Sequence, residues 1–300
     1  MRVFVTGGTG FIGSYVVREL HSEGNDLLLL SRQPESALPK ISNVDIVQGD
    51  LSDAANWENK VKRFKPQVAI HMAWESLPDY DARTSIGNLN YGLNLITLLA
   101  ESGCQSVICT GSCWEYGHQT GKLREDIALK PSDAFSAAKN ALHWVGREVA
   151  REHDMRFIWT RIFYVYGPGQ RGTSLIPYII DCVRKGENPE IKTPWAKNDF
   201  IYVEDVARAI SAIVRESQKD GVYNIGSGSS TSVQQIVEIV CNKFKFPEKC
   251  GTLINPTNRP AVDFRADISK IRSDIGWEPQ IGIGDGIGKT INYHTGGSVH

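Results

Sequence analysis

With 300 residues, 41% of them hydrophobic, the chain holds enough apolar material to bury a full core in one large or two small domains. Its 33 basic and 34 acidic residues leave a formal net charge of -1 and form no Lys/Arg run, which argues against nucleic-acid or membrane-surface binding. Six cysteines fall without a CxxC pair or a framework spacing, so no metal site is expected, and reduced thiols of a cytoplasmic protein are.

In chain order, Arg2-Val3-Phe4-Val5 runs straight into a glycine loop, so no targeting segment is expected, and no apolar stretch reaches the roughly 20 residues of a membrane span. Short apolar runs then alternate with helical patterns. Strands are predicted at Val3–Val5, Asp26–Leu30, Val44–Gln48, Gln67–His71, Ser106–Thr110 and Arg156–Ile162. Helices fit between them at Phe11–Glu23, Trp57–Lys65, Leu89–Ser102 and Phe135–His153. This alternation predicts an α/β, Rossmann-type fold over residues 1–168, with a doubly wound parallel sheet covered on both faces. After Tyr166-Gly-Pro-Gly169 the texture changes. Leu175–Lys185, Glu204–Ser217 and Thr231–Lys245 read as helices, and Arg259-Pro260 opens a polar C-terminal stretch. Residues 169–300 are read as a smaller, mainly helical substrate lobe, with the ligand cleft between the two.

The loop Thr6-Gly-Gly-Thr-Gly-Phe-Ile-Gly13 follows a strand and opens a helix. Gly7 permits the tight turn, Gly10 lets the backbone approach a pyrophosphate, and Gly13 allows close helix packing. Thr9, Phe11 and Ile12 belong to the same loop, where the helix N-terminus offers amides to phosphates. At the end of the second strand, where an NAD-selective site places a carboxylate, stand Ser31 and Arg32. That pair favours NADP(H) over NAD(H), because Arg32 and the Ser31 hydroxyl can hold a 2′-phosphate. Asp50-Leu51, after the third strand, is placed to meet the adenine; a plain turn is the other reading of Asp50.

Taken together, these residues and several later motifs resemble the extended short-chain dehydrogenase/reductases, in particular the NAD(P)-dependent sugar-nucleotide epimerase/dehydratase/reductase group. The likeness includes His71-Met-Ala-Trp74, Gly111-Ser-Cys-Trp-Glu-Tyr-Gly117, Phe135-Ser-Ala-Ala-Lys139 and Arg161-Ile-Phe-Tyr-Val-Tyr-Gly-Pro168. It continues through Asp199-Phe-Ile-Tyr-Val-Glu-Asp205, Tyr223-Asn-Ile-Gly-Ser-Gly228 and Asp267…Gly276-Trp-Glu-Pro279. The resemblance implies that Ser112 hydrogen-bonds the reacting sugar oxygen and that Lys139 bridges the nicotinamide ribose. It places Met72, Ala73 and Trp74 near the cofactor and makes His71 structural. It also implies a nucleoside-diphosphate sugar between the lobes. Ser174, Asn198 and Arg259 are then candidates for the nucleotide and pyrophosphate, and Trp74, Trp114 and Trp195 for the sugar or base. A homodimer through Leu89–Ser102 and Phe135–His153 is implied as well. The stripe Leu142, Val145, Val149 fits such an interface, or packing on the sheet equally.

Three positions depart from that family's pattern. Phe135 stands where the family has its proton-exchanging tyrosine, Tyr164 where a substrate-binding asparagine is common, and Cys113-Trp114 where dehydratases carry Asp-Glu. The last departure counts against a 4,6-dehydratase, which needs acid and base there. The first leaves two explanations, a substitution made to capture a reactive complex or a natural variant with another donor; the intact surrounding motifs favour the former. The donor in the latter case is Ser112, a Lys139-bound water or Tyr164. Losing a positioned general acid costs roughly 10²–10⁴ in rate, so impaired activity is expected. The leading reading is an NADPH-dependent reductase of a nucleotide-linked 4-keto-6-deoxy sugar. The alternatives are an NAD-dependent sugar-nucleotide 4-epimerase and a catalytically silent cofactor-binding protein.

Overall fold

The computed structural model describes residues 1–34, 42–246 and 262–296. Its first half alternates strand and helix as the apolar runs require. β1 (Arg2–Thr6) leads into α1 (Phe11–Ser22), and β2 (Asp26–Ser31) and β3 (Val44–Gln48) follow. Then come α2 (Glu58–Phe64), β4 (Val68–His71), α3 (Ala82–Glu101), β5 (Ser106–Ser112) and the short β6 (Gly121–Leu123). α4 (Ala134–Glu152), β7 (Arg156–Ile162) and β8 (Tyr164–Tyr166) complete this part. The remainder comprises α5 (Leu175–Lys185), β9 (Lys197–Asn198), β10 (Phe200–Tyr202), α6 (Val203–Glu216) and β11 (Gly221–Ile225). It ends with β12 (Thr231–Ser232), α7 (Val233–Phe244), β13 (Phe264–Ala266), α8 (Ser269–Ile275) and α9 (Ile283–His294).

Seven strands form one sheet in the order β11-β7-β5-β4-β1-β2-β3, every neighbouring pair parallel. The period-two alternation of strand side chains divides the core between two faces. Val3, Val5, Leu27 and Leu29 meet Val16 and Leu20 of α1 and Val206 and Ile210 of α6. Phe4, Leu28 and Leu30 face the other way, with Leu95 and Leu99 of α3 and Leu142 of α4. A third core joins α5, α7 and α9 through residues such as Ile179, Ile236 and Ile287. The direction of strand progression reverses between β1 and β4. In doubly wound sheets the ligand crevice lies there, beyond the carboxyl ends of the strands.

Several expectations are corrected. α3 begins at Ala82, seven residues before the predicted Leu89, because Asp81 caps it by accepting from the Thr84 amide at 2.8 Å. The chain returns to the sheet after residue 168: α6 packs on α1, and β11 pairs with β7 from Gly221↔Ile158 to Ile225↔Ile162. Residues 203–225 thus pack on one face of the sheet beside α1 and add its outermost strand. The polar C-terminal stretch contains α8 and α9, whose Ile271, Ile275, Ile287 and Ile291 are buried. Cys104, Cys109, Cys113 and Cys182 are free and buried, but Cys241 is disulfide-bonded, against the expectation of reduced thiols throughout. No helix among the described residues is long and apolar enough to cross a membrane.

Candidate active site

A cavity of about 690 Å³ lies over the carboxyl ends of the strands at this reversal. One end is built on the glycine loop: Gly7, Thr9, Gly10, Phe11, Ile12 and Gly13 all line it. Gly7 has φ +75°, and a Cβ there would stand 2.6 Å from the Ala73 nitrogen. A Cβ on Gly13 would stand 2.0 Å from the Gly7 oxygen, so β1 and α1 can meet only through bare backbone. Gly10 caps α1 without a side-chain hydrogen bond, and the first turn holds no acidic residue. Its unsatisfied amides and positive end therefore fit a dinucleotide's phosphates. Beneath the loop, Thr6 Oγ1 and His71 Nδ1 lie 2.8 Å apart and tie β1 to β4. Burial, aided by the Lys139 charge, pulls His71 down to about 3, so its ring is neutral and structural.

Ser31, Arg32, Asp50, Leu51, Met72, Ala73 and Trp74 also line the cavity. The Arg32 side chain is 69% exposed and donates to Glu75 Oε1 at 2.9 Å. Glu75 was not singled out in the sequence, where no motif marks it. Its carboxylate lines the cavity and pairs with the Arg32 guanidinium there. Asp50 makes a turn, its Oδ1 accepting from the Ser52 amide at 2.8 Å and the Ser52 hydroxyl at 2.6 Å, and these bonds hold it below the usual carboxylate range.

The other end is built on β5 and α4. Asp133 caps α4, accepting from the Ser136 amide at 2.8 Å, which sets Phe135 in the first turn and Lys139 one turn later on the same face. Lys139 is buried, donates from Nζ to the Thr110 carbonyl at 2.7 Å and lies 4.0 Å from the centre of the Trp74 ring. Burial brings its pKa down to about 8, although Glu115 and Cys109 partly oppose the fall. Glu115 is fully buried, bonded to Arg161 Nε at 3.0 Å and to the Trp159 indole N–H at 3.1 Å. It accepts the Ser112 amide at 2.8 Å and so fixes the end of β5.

Phe135 packs edge-on among aromatic rings, with centroids 5.4 Å from Trp74, 5.2 Å from Tyr80 and 5.9 Å from Trp114. Trp114 donates its indole N–H to Tyr164 Oη at 3.1 Å, and burial pushes Tyr164 up to about 12. Ser112, Cys113, Trp114, Tyr164 and Ser174 also line this end. Two predicted substrate residues do not line it. Trp195 is 39% exposed elsewhere, and Asn198 is tied into the β9–β12 pair opposite Thr231. Arg259 lies outside the described residues. Tyr80 and Arg171 are additional wall residues. Arg171 follows the Gly-Pro-Gly punctuation and was legible in principle; Tyr80 sits in an irregular segment without periodicity.

A doubly wound sheet with a glycine loop at its strand reversal, facing a serine and a buried lysine, defines a dinucleotide-dependent enzyme. The chain belongs to the NAD dependent epimerase/dehydratase family, whose model matches residues 3–226. It is 26% identical over 317 residues to the dTDP-4-dehydro-6-deoxyglucose reductase of Escherichia coli, covering 96% of each chain. It is 27% identical over 317 residues to a putative UDP-glucose 4-epimerase of Methanocaldococcus jannaschii, covering 97% of each. Among solved structures, MoeE5 in complex with UDP-glucuronic acid and NAD superposes with a TM-score of 0.85 at 26% identity, over 99% of this chain and 100% of that one. The family is one of sugar-nucleotide-modifying enzymes with a nicotinamide cofactor.

Proposed function

We propose that the chain reduces the C4 ketone of a nucleotide-linked 4-keto-6-deoxy sugar, with NADP(H) preferred. The observation that carries this reading is the make-up of the sugar end. It presents Ser112, Lys139 and the rings of Trp74, Tyr80, Trp114 and Phe135. Among the described residues, the carboxylates lining the cavity are Asp50 and Glu75, both beside Arg32 at the far end. Among the described residues, no carboxylate lines the sugar end to supply the acid–base pair that dehydration needs. Aromatic walls suit a sugar whose sixth carbon is a methyl group, since apolar C–H surface packs well against ring faces. The similarity to a 4-keto-6-deoxy sugar reductase supports the same substrate class.

In this reading Ser112 donates to the reacting oxygen, and the Lys139 ammonium supplies positive charge beside it. The amides at the start of α1 hold the cofactor's phosphates. The Ser174 hydroxyl, which makes no cap bond to α5, and Arg171 face the substrate's diphosphate. When bound, the reduced nicotinamide supplies a hydride. Ser31 and Arg32 support NADP(H), the 2′-phosphate replacing Glu75 as the partner of Arg32. The similarity to a putative 4-epimerase carries a second reading, NAD-dependent 4-epimerisation. A homodimer through α3 and α4 is supported by the exposed Ile86, Trp144 and Val145.

Stoichiometry separates the two readings. A reductase consumes one NADPH per ketosugar, whereas an epimerase equilibrates C4 isomers with no net reductant used. NADPH is expected to be preferred to NADH by about tenfold or more in kcat/KM, about 1.4 kcal/mol. An equal or reversed preference removes the assignment of Arg32 to a 2′-phosphate.

A further inference from the structure

We propose that Tyr164 is the proton donor of this site, aimed by Trp114, in place of the hydroxyl that Phe135 lacks. This rests on the ketosugar reading above. Trp114 uses both of its N–H groups on hydroxyl oxygens: the backbone amide donates to Ser112 Oγ at 3.2 Å, and the indole donates to Tyr164 Oη at 3.1 Å. Each oxygen is thus engaged as an acceptor and keeps its own hydrogen for a third group in the cavity.

The two hydroxyls are not equivalent as acids. A serine is no more acidic than the sugar alcohol it would be protonating, so it can hold the oxygen but gains nothing as a donor. A phenol ordinarily ionises near 10. Even pushed up to about 12 by burial, Tyr164 remains more acidic than an alcohol, whose pKa is close to water's roughly 15.7. Proton transfer to an alkoxide therefore runs downhill. Tyr80, the other phenol at this end, sits on the irregular segment after β4, and its hydroxyl makes no hydrogen bond among the described residues. Tyr164 opens β8, pairs with Phe200 of β10, and has its ring packed 5.8 Å from that of Phe200 and 6.0 Å from that of Phe264. A donor fixed on a strand is better oriented than one on a loop.

The step balances as follows. When the C4 carbonyl carbon accepts a hydride, the carbonyl π pair becomes an alkoxide lone pair on oxygen. The Tyr164 O–H bond breaks, its proton bonds to that oxygen, and the phenolate takes a proton from water. The two electrons come from the reduced nicotinamide cofactor, which is oxidised.

Two readouts test this. The first is affinity, measured by calorimetry with a nucleotide-linked 4-hydroxy-6-deoxy sugar and its 4-deoxy counterpart. The parent protein is expected to prefer the 4-hydroxy ligand by about fivefold for each of the two hydroxyls that meet its oxygen, and Tyr164→Phe to lose about fivefold of that preference while the Ser112 share remains. The second is single-turnover oxidation of NADPH by the ketosugar. Tyr164→Phe is expected to slow it by roughly a hundredfold or more, and Phe135→Tyr added to Tyr164→Phe to restore it. If Tyr164→Phe retains both the preference and the parent rate, the proposal is overturned and the ketosugar reading stands. If the parent binds nucleotide sugars but reduces none, the ketosugar reading falls and this proposal with it.

Discussion

Lys139 is held by one carbonyl and the face of one indole, and burial brings its pKa from the ordinary 10.5 down to about 8. The unfolded chain keeps this proton up to about pH 10, whereas the folded one begins to lose it near pH 8. The folded state is therefore penalised where the lysine must be charged, and this contribution to stability improves as pH rises from about 8 to 10.5. Activity runs the other way. With the ammonium needed beside the alkoxide, turnover should fall as pH climbs through about 8, and Lys139→Arg should move that alkaline limb beyond the measurable range. A profile of the parent enzyme that stays flat to pH 9.5 would contradict the ammonium role (a limit well above the value of about 8 for this lysine). Phe135 and Lys139 were legible through the family resemblance, and the structure sets them one turn apart on α4, both lining the cavity. Glu75 and Tyr80 were not: their positions depend on where an irregular segment folds back, and no period records that. Trp195 and Asn198 show the converse, polar or aromatic residues near the right motifs that are committed to other surroundings.

Elements were legible where a strong physical demand wrote the sequence. The glycines of the β1–α1 junction are such a case, since the backbone geometry leaves no room for a Cβ. Gly13→Ala would place that atom 2.0 Å from the Gly7 oxygen, forcing the loop apart at its narrowest point. Its expected effect is a loss of nicotinamide-cofactor affinity of about tenfold or more, with the fold retained, measurable by calorimetry and circular dichroism. Unchanged affinity would show that the loop opens without cost to phosphate binding. Apolar runs such as Leu27–Leu30 announced buried strands equally well. β11 escaped because Gly221-Val-Tyr-Asn-Ile225 places a glycine and an asparagine among its apolar residues and follows directly on a strongly amphipathic helix. The start of α3 escaped because residues 82–88 carry little apolar periodicity, and the Asp81 cap rather than burial begins the helix.

Across the whole molecule, α6 and β11 return from beyond residue 168, α6 packing on one face of the sheet and β11 adding a strand beside β7. The stripe expected on α4 also divides: Leu142 is fully buried, Val149 packs against the second core, and Val145 is 46% exposed beside Trp144 at 49%. The exposed half of that stripe is the part that would face a second copy. If α3 and α4 form the dimer face, Trp144→Glu should shift the protein towards monomer in sedimentation velocity, burying a charge being costly without a partner. An unchanged mass would move the interface elsewhere. The segment between β4 and α3 links scales that otherwise look separate. At its start Glu75 grips Arg32, midway the Leu77 carbonyl accepts a hydrogen bond from Arg171, and near its end Tyr80 leans on Phe135 and Trp114. One short stretch of backbone thus reaches Arg32 at one end of the cavity, Arg171 beyond β8, and the aromatic wall around Phe135 at the other end. If a 2′-phosphate takes Arg32 from Glu75, the strap that also carries Tyr80 loses one tether, an exposed ion pair worth at most about 1 kcal/mol, and keeps its Arg171 and aromatic contacts.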